Sequence, residues 1–210
     1  LVIDSLPGAS LIGLHFKPGG IAPFLNLPAD ELRGQVVELD VVWGPLAWEL
    51  RERLLDAVGP KAKFKIMERL LTAKLTAARA ASDGAKRATW ALNRFLKEPH
   101  VQNIRQVADE LGVSHKHFIE EFRRRVGMPP KLFCRIRRFQ EVLAQIGTRD
   151  TVEWADVAYS CGYYDQAHFV NDFQAFAGLN PTAYLSHRIE YPNFIKAAGQ
   201  KVGKREILEL

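Results

Sequence analysis

The chain has 210 residues, 47% hydrophobic and 25% charged, which excludes a disordered or fibrous polymer and leaves room for one large domain or two small ones. A net charge of +5 and a pI near 9.3 favour a polyanionic partner, but only weakly. No apolar run approaches a membrane span, and Leu1 to Gly8 lacks the basic flank and apolar run of a signal peptide, so a cytoplasmic protein with no membrane partner is expected.

Residues 1–43 are rich in turn formers, among them Pro7-Gly8, Pro18-Gly19-Gly20, Pro23 and Pro28. Between them lie short β-prone runs, Leu11 to Phe16 and Val36 to Val42, that read as strands. The opening at Leu1 reads as mid-strand, as in a piece that lacks upstream sequence. At Gly44-Pro45 the period changes to helical, with Leu46, Leu50, Leu54 and Ala57 before Gly59. A second helix starts near Pro60, carries Phe64, Met67, Leu70, Leu71 and Leu75, and ends in the small, polar stretch from Ala77 to Gly84, where a domain boundary is expected.

From Ala85 onward the pattern is helical throughout. Trp90, Ala91, Phe95 and Leu96 share one face before Pro99, and Ile104, Val107, Ala108 and Leu111 form a short helix ended by Gly112. Ser114 suits the N-cap of a helix whose Phe118, Phe122 and Val126 face inward until Gly127. Pro130 opens a longer helix that closes at Gly147, and Asp150 with Glu153 suggests a capping box for a helix holding Trp154, Val157, Ala158 and Cys161. Asp165 caps a helix with Phe169, Phe173 and Phe176, stopped by Gly178, and Pro181 starts a last one reaching Tyr184 and Leu185.

Two stretches superpose. Val107-Ala108, Gly112, Phe118, Phe122, Gly127, Pro130 and Phe133 are answered by Val157-Ala158, Gly162, Phe169, Phe173, Gly178, Pro181 and Tyr184, offset by 50 residues before the turn and 51 after it. Each copy is helix, glycine turn, helix, glycine, proline-started helix. The small alanine lets a neighbouring helix approach, and the glycine supplies the positive φ of a sharp turn. This is the helix-turn-helix plan, whose second helix offers a polar N-terminal face to a major groove. The bland alternative is a helical bundle with duplicated corners.

Residues 85–188 resemble the DNA-binding domain of the AraC/XylS family. The likeness is carried by Gly162-Tyr163-Tyr164-Asp165-Gln166-Ala167-His168-Phe169 followed by Phe173, Phe176, Gly178, Asn180-Pro181 and Tyr184. It implies a mainly α domain of seven helices over 85–190, in two helix-turn-helix subdomains joined by a long linker helix, with recognition helices in successive major grooves. Residues 10–80, with His15 to Gly20, Phe24-Leu25, Pro28 and Trp43-Gly44, more faintly resemble the end of a β-rich effector domain. The expected organisation is therefore a small α+β remnant over 1–80 (strands, then two helices), the DNA-binding domain, and a tail over 191–210.

The resemblance puts base-reading side chains in the first turns of each second helix. In the first copy these are His115, Lys116, Ile119 and Glu120, with Arg123 and Arg124 beyond, better placed for phosphates. Glu120 and Glu121 depart from a pattern that often carries a basic residue there. Glu120 either accepts from cytosine N4 or is repulsive or paired within the protein. In the second copy the matching residues are Gln166 and Asn171, suited to adenine, and Ala167 and Val170, suited to a thymine methyl. Asn171 stands where the family frequently has Arg. His168 either faces DNA or caps its own helix, and Phe118, Phe122, Phe169 and Phe173 read as core.

Charge follows the same split. His115 to Gln140 holds eight Lys/Arg against Glu120 and Glu121, a net +6, whereas Glu141 to Glu190 holds Arg149 and Arg188 against seven acids, a net −5. Polyanion contact should lean on the first block, and the second copy should grip weakly.

No catalytic constellation, P-loop or metal-ligand cluster is present in the pattern, so neither an enzyme nor a cofactor is expected. Cys134 and Cys161 read as core, although Arg135, Arg137 and Arg138 around Cys134 could activate its thiol. The expectation is a one-component, bacterial-type transcriptional regulator that binds double-stranded DNA sequence-specifically. RNA polymerase, a small-molecule effector and a second copy of the chain are further candidate partners. The competing reading is a non-catalytic protein-interaction module on the same scaffold.

Overall fold

The computed structural model describes residues 12–78, 83–100, 103–147, 149 and 151–187. Asp150, the start of the chain to Leu11 and the expected tail over 191–210 lie outside them. The chain divides into two compact units, residues 1–93 with 104–130, and residues 94–103 with 131–210. This division does not follow the change in composition at 77–84.

The first unit departs from the sequence pattern in its opening segment. Among the described residues there is no strand. Residues 12–17 are irregular, and the second β-prone run stays extended only to Glu38 before α1, Leu39–Trp43. Two 3₁₀ turns, Ala22–Phe24 and Ala29–Leu32, form in the stretch around Pro23 and Pro28 between the two runs. A strand needs a partner for its backbone groups, and this segment docks on helices instead. Trp43 donates its indole N–H to the Phe24 carbonyl at 2.9 Å. Gly44 breaks the helix with φ of 58°, and Pro45 starts α2, Pro45–Asp56, followed by α3, Pro60–Ala77, both as the periodicity requires.

Within the same unit lie most of α4, Asp83–Lys97, then α5, Ile104–Glu110, and α6, His115–Val126. Phe118 and Phe122 are withdrawn from solvent completely, worth roughly 1.5–3 kcal/mol each in burial. Trp90 is 45% exposed rather than part of the inward face of α4. The second 3₁₀ turn packs along α6. Gly127 closes that helix in the left-handed region, and a Cβ there would lie 3.3 Å from the Ala29 carbonyl oxygen.

The second unit holds nearly all of the 17-residue α7, Pro130–Ile146, with α8, Trp154–Ser160, α9, Gln166–Ala177, and α10, Pro181–His187. Val142, Leu143 and Ile146 of α7 close on Val157, Ala158 and Cys161 and on the aromatic set Tyr163, Phe169, Phe173 and Tyr184. Trp154 stacks on Phe169 with centroids 5.7 Å apart. The expected capping box is not formed: Glu153 is itself the N-cap of α8, with no side-chain hydrogen bond to the helix.

Candidate nucleic-acid interface

The two turns are built alike down to single hydrogen bonds. In the first, Gly112 has φ of 67°, its N–H donates to Asp109, and the Val113 N–H reaches back to the Ala108 carbonyl at 3.1 Å. In the second, Gly162 has φ of 73°, its N–H donates to Tyr159, and the Tyr163 N–H reaches the Ala158 carbonyl at 3.0 Å. Both alanines are buried, as a close helix approach demands. The single inserted residue is taken up between the glycine and the cap, beside the 87% exposed Tyr164.

Both N-caps hold. Ser114 Oγ accepts from the His117 N–H at 3.3 Å, and Asp165 Oδ1 from the His168 N–H at 2.7 Å. These caps fix where α6 and α9 start, and so which side chains leave the core. On α6, His115, Lys116, Glu120, Arg123 and Arg124 are exposed, while Ile119 is half-buried. On α9, Gln166, Ala167 and Asn171 are exposed, whereas Val170 leans against the core of its unit. Ile119 and Val170 thus occupy matching positions that turn partly inward, away from the face offered to a groove.

Contacts within each unit redraw the charge map. Arg123 pairs with Asp30 of the second 3₁₀ turn at 2.9 Å, so it is engaged by a carboxylate. Arg135 makes two hydrogen bonds to Asp172, and Arg138 is buried with its guanidinium over the Tyr163 ring. Among the described residues, Lys116, Arg124 and Lys131 are the exposed cations of the basic block outside any carboxylate pair. Glu121 is neither a groove residue nor a free repulsive charge. It receives two hydrogen bonds from Arg87, at 2.7 and 3.0 Å, which hold its carboxyl below the usual carboxylate range. Glu120 remains exposed on the outer face.

His168 is half-exposed on α9. Its ring meets Tyr163 edge-on at 5.3 Å, and its Nε2 lies 3.8 Å from Asp172. The composition around Cys134 misleads about its thiol. Burial pushes it up to about 11, against a smaller opposing pull from Arg138, so it is core and not an activated nucleophile.

Sequence reasoning passed over Arg87, His117, Asp172, Gln174 and Ala175. A signal existed: His117-x-x-x-Glu121 and His168-x-x-x-Asp172 repeat at the 51-residue offset of the aromatic core.

Residues 107–187 match the family model of a helix-turn-helix domain. The matched helix-turn-helix domain begins at Val107, runs through both glycine turns, and supports an AraC-type domain in this part of the chain. No curated protein and no solved structure matches the chain. None of the described helices is long and apolar enough to cross a membrane.

Proposed function

We propose that the protein is a sequence-specific DNA-binding transcriptional regulator of the AraC/XylS type, with α6 and α9 each entering a major groove. The observation that supports this reading best is the duplicated turn, with the same glycine geometry, the same back-hydrogen bond and a side-chain cap in each copy. Two such turns in one chain are hard to explain as accidental helix corners.

In this reading Lys116 donates to guanine edges and Arg124 to phosphate, while Gln166 and Asn171 take the paired donor and acceptor of adenine. The outer face of α9 carries Gln166, Ala167, Asn171, Gln174 and Ala175, with no Lys or Arg on the helix. That face favours one alternative, a second copy that serves protein contact and adds little to DNA binding.

Selection from a random duplex pool at two salt concentrations tests the proposal. Enrichment of a two-part motif supports a groove for each helix. A single half-site supports DNA reading by one helix alone. Absence of any enriched sequence, with binding lost at moderate salt, overturns sequence-specific regulation and leaves the protein-contact reading.

A further inference from the structure

The recognition helices share a device that the proposed contacts leave unused. The seventh residue of α6, Glu121, is held by Arg87 of α4, and the ring of His117, four residues back, lies with Nε2 3.3 Å from Glu121 Oε1. The seventh residue of α9, Asp172, is held by Arg135 of α7 at 2.7 Å, with Arg138 Nη2 and His168 Nε2 each 3.8 Å from its Oδ2. His117 and His168, Glu121 and Asp172, and Arg87 and Arg138 are each 51 residues apart. Glu121 is largely and Asp172 fully withdrawn from solvent, with side chains 18% and 5% exposed, while the imidazoles stand 53% and 39% exposed at the third position of their helices.

On the DNA-binding reading above, we propose that His117 and His168 contact DNA phosphates, each imidazole oriented by the arginine-held carboxylate four residues further along its helix. Three features carry this. First, with Nε2 facing the carboxylate, at 3.3 Å in α6 and 3.8 Å in α9, Nδ1 is left for another partner; among the described residues neither Nδ1 has a hydrogen bond. Which nitrogen a histidine offers outward is set by what the other one binds. Second, the carboxylates do not confront phosphate as bare charges, because an arginine neutralises each from behind. Third, His168 is the one side chain of α9 able to become a cation, so a phosphate contact from that helix falls to it.

The carboxylates and arginines are positioning residues here, and the imidazoles are the contacts. A single charged donor matches a phosphate oxygen and carries no base information. The charged form is needed at both ends, since an imidazolium can donate to the carboxylate and to phosphate together. The groups facing His168 are Asp172 and Asp165 on or capping its own helix, Tyr163 in the turn, and Arg135 and Arg138 from α7. Those around His117 are Glu121, Arg87 from α4 and Arg125. Histidine changes charge between about pH 5 and 8, and protonation favours the anionic partner, so affinity should fall as pH rises.

The test uses the full 210-residue chain and fluorescence anisotropy with a labelled random-sequence duplex at pH 6 and pH 8, at one salt concentration. The chain binds more tightly at pH 6. The double variant H117Q/H168Q loses about tenfold or more at pH 6, tenfold being the low end for one charge-assisted hydrogen bond, and loses the pH dependence with it. His168→Lys, a fixed cation, keeps at pH 8 the share of affinity that His168 supplies at pH 6, so its affinity falls less between pH 6 and pH 8 than that of the unaltered chain. Thermal melts at both pH values identify any variant that has unfolded, and the single variants H117Q and H168Q then carry the comparison. Duplex binding by the unaltered chain with no change in affinity or pH profile in the variants overturns this inference alone. Absence of duplex binding at either pH overturns the DNA-binding reading and this inference together.

Discussion

Phe118 and Phe122 on α6 stand where Phe169 and Phe173 stand on α9, and all four are fully withdrawn from solvent. Beyond the histidine each carries at its third position, the outward faces diverge: Lys116, Glu120, Arg123 and Arg124 on one, Ala167, Asn171, Gln174 and Ala175 at the matching positions of the other. The inward face is fixed by the geometry of a sharp glycine turn and leaves little freedom. The outward face carries little packing duty, so one scaffold can hold a helix with a charged outer face and another whose outer face is amides and alanines.

The strongest way to break this comparison is through the shared core. Phe122→Ala and Phe173→Ala should each cost about 3–5 kcal/mol, read from urea unfolding, because both rings are fully enclosed. A large difference between them would mean that the two units are not packed alike. Next comes the charge that separates the outer faces. Arg124→Ala should flatten the salt dependence of DNA affinity by about 0.9 in logarithmic slope, and Ala175→Arg, 51 residues on, should steepen it by a similar amount. Equal slopes in both variants would remove α6 as the electrostatic anchor. The smallest effect concerns acid stability. Because Arg87 lowers the carboxyl of Glu121, its contribution is present above the ordinary carboxylate range and is lost as pH falls through the lowered value. Glu121→Gln should therefore unfold at lower denaturant near neutrality while losing less further stability on acidification, followed by circular dichroism between pH 7 and 3.

The turns, both caps and the aromatic core were legible in the sequence because each rests on local chemistry: a positive φ, a short side chain next to a helix start, a ring every fourth residue. The described residues from 12 to 43 were not. Val36 is 83% exposed and Val41 60%, so these β-branched residues have no sheet to join, and propensity alone pointed the wrong way. The charge count saw eight basic residues but not that Arg123, Arg135 and Arg138 face acids of their own units. Those pairs span 37 residues or more in two of the three cases, beyond any local rule.

Gly84 sits in the first turn of α4, where glycine costs about 1 kcal/mol of helix stability against alanine. A Cβ there would run into the Glu121 carboxyl. The residue 51 further on, in α7, is Arg135, and it grips an aspartate, one methylene shorter than Glu121. The two repeats have thus made a compensating exchange, glycine with glutamate in one and arginine with aspartate in the other. A graft of α9 into the place of α6 would set a short acid against an empty glycine, and the reverse graft would drive a glutamate into an arginine. α6 and α9 can be shuffled or redesigned only together with the helix two before each of them, α4 and α7.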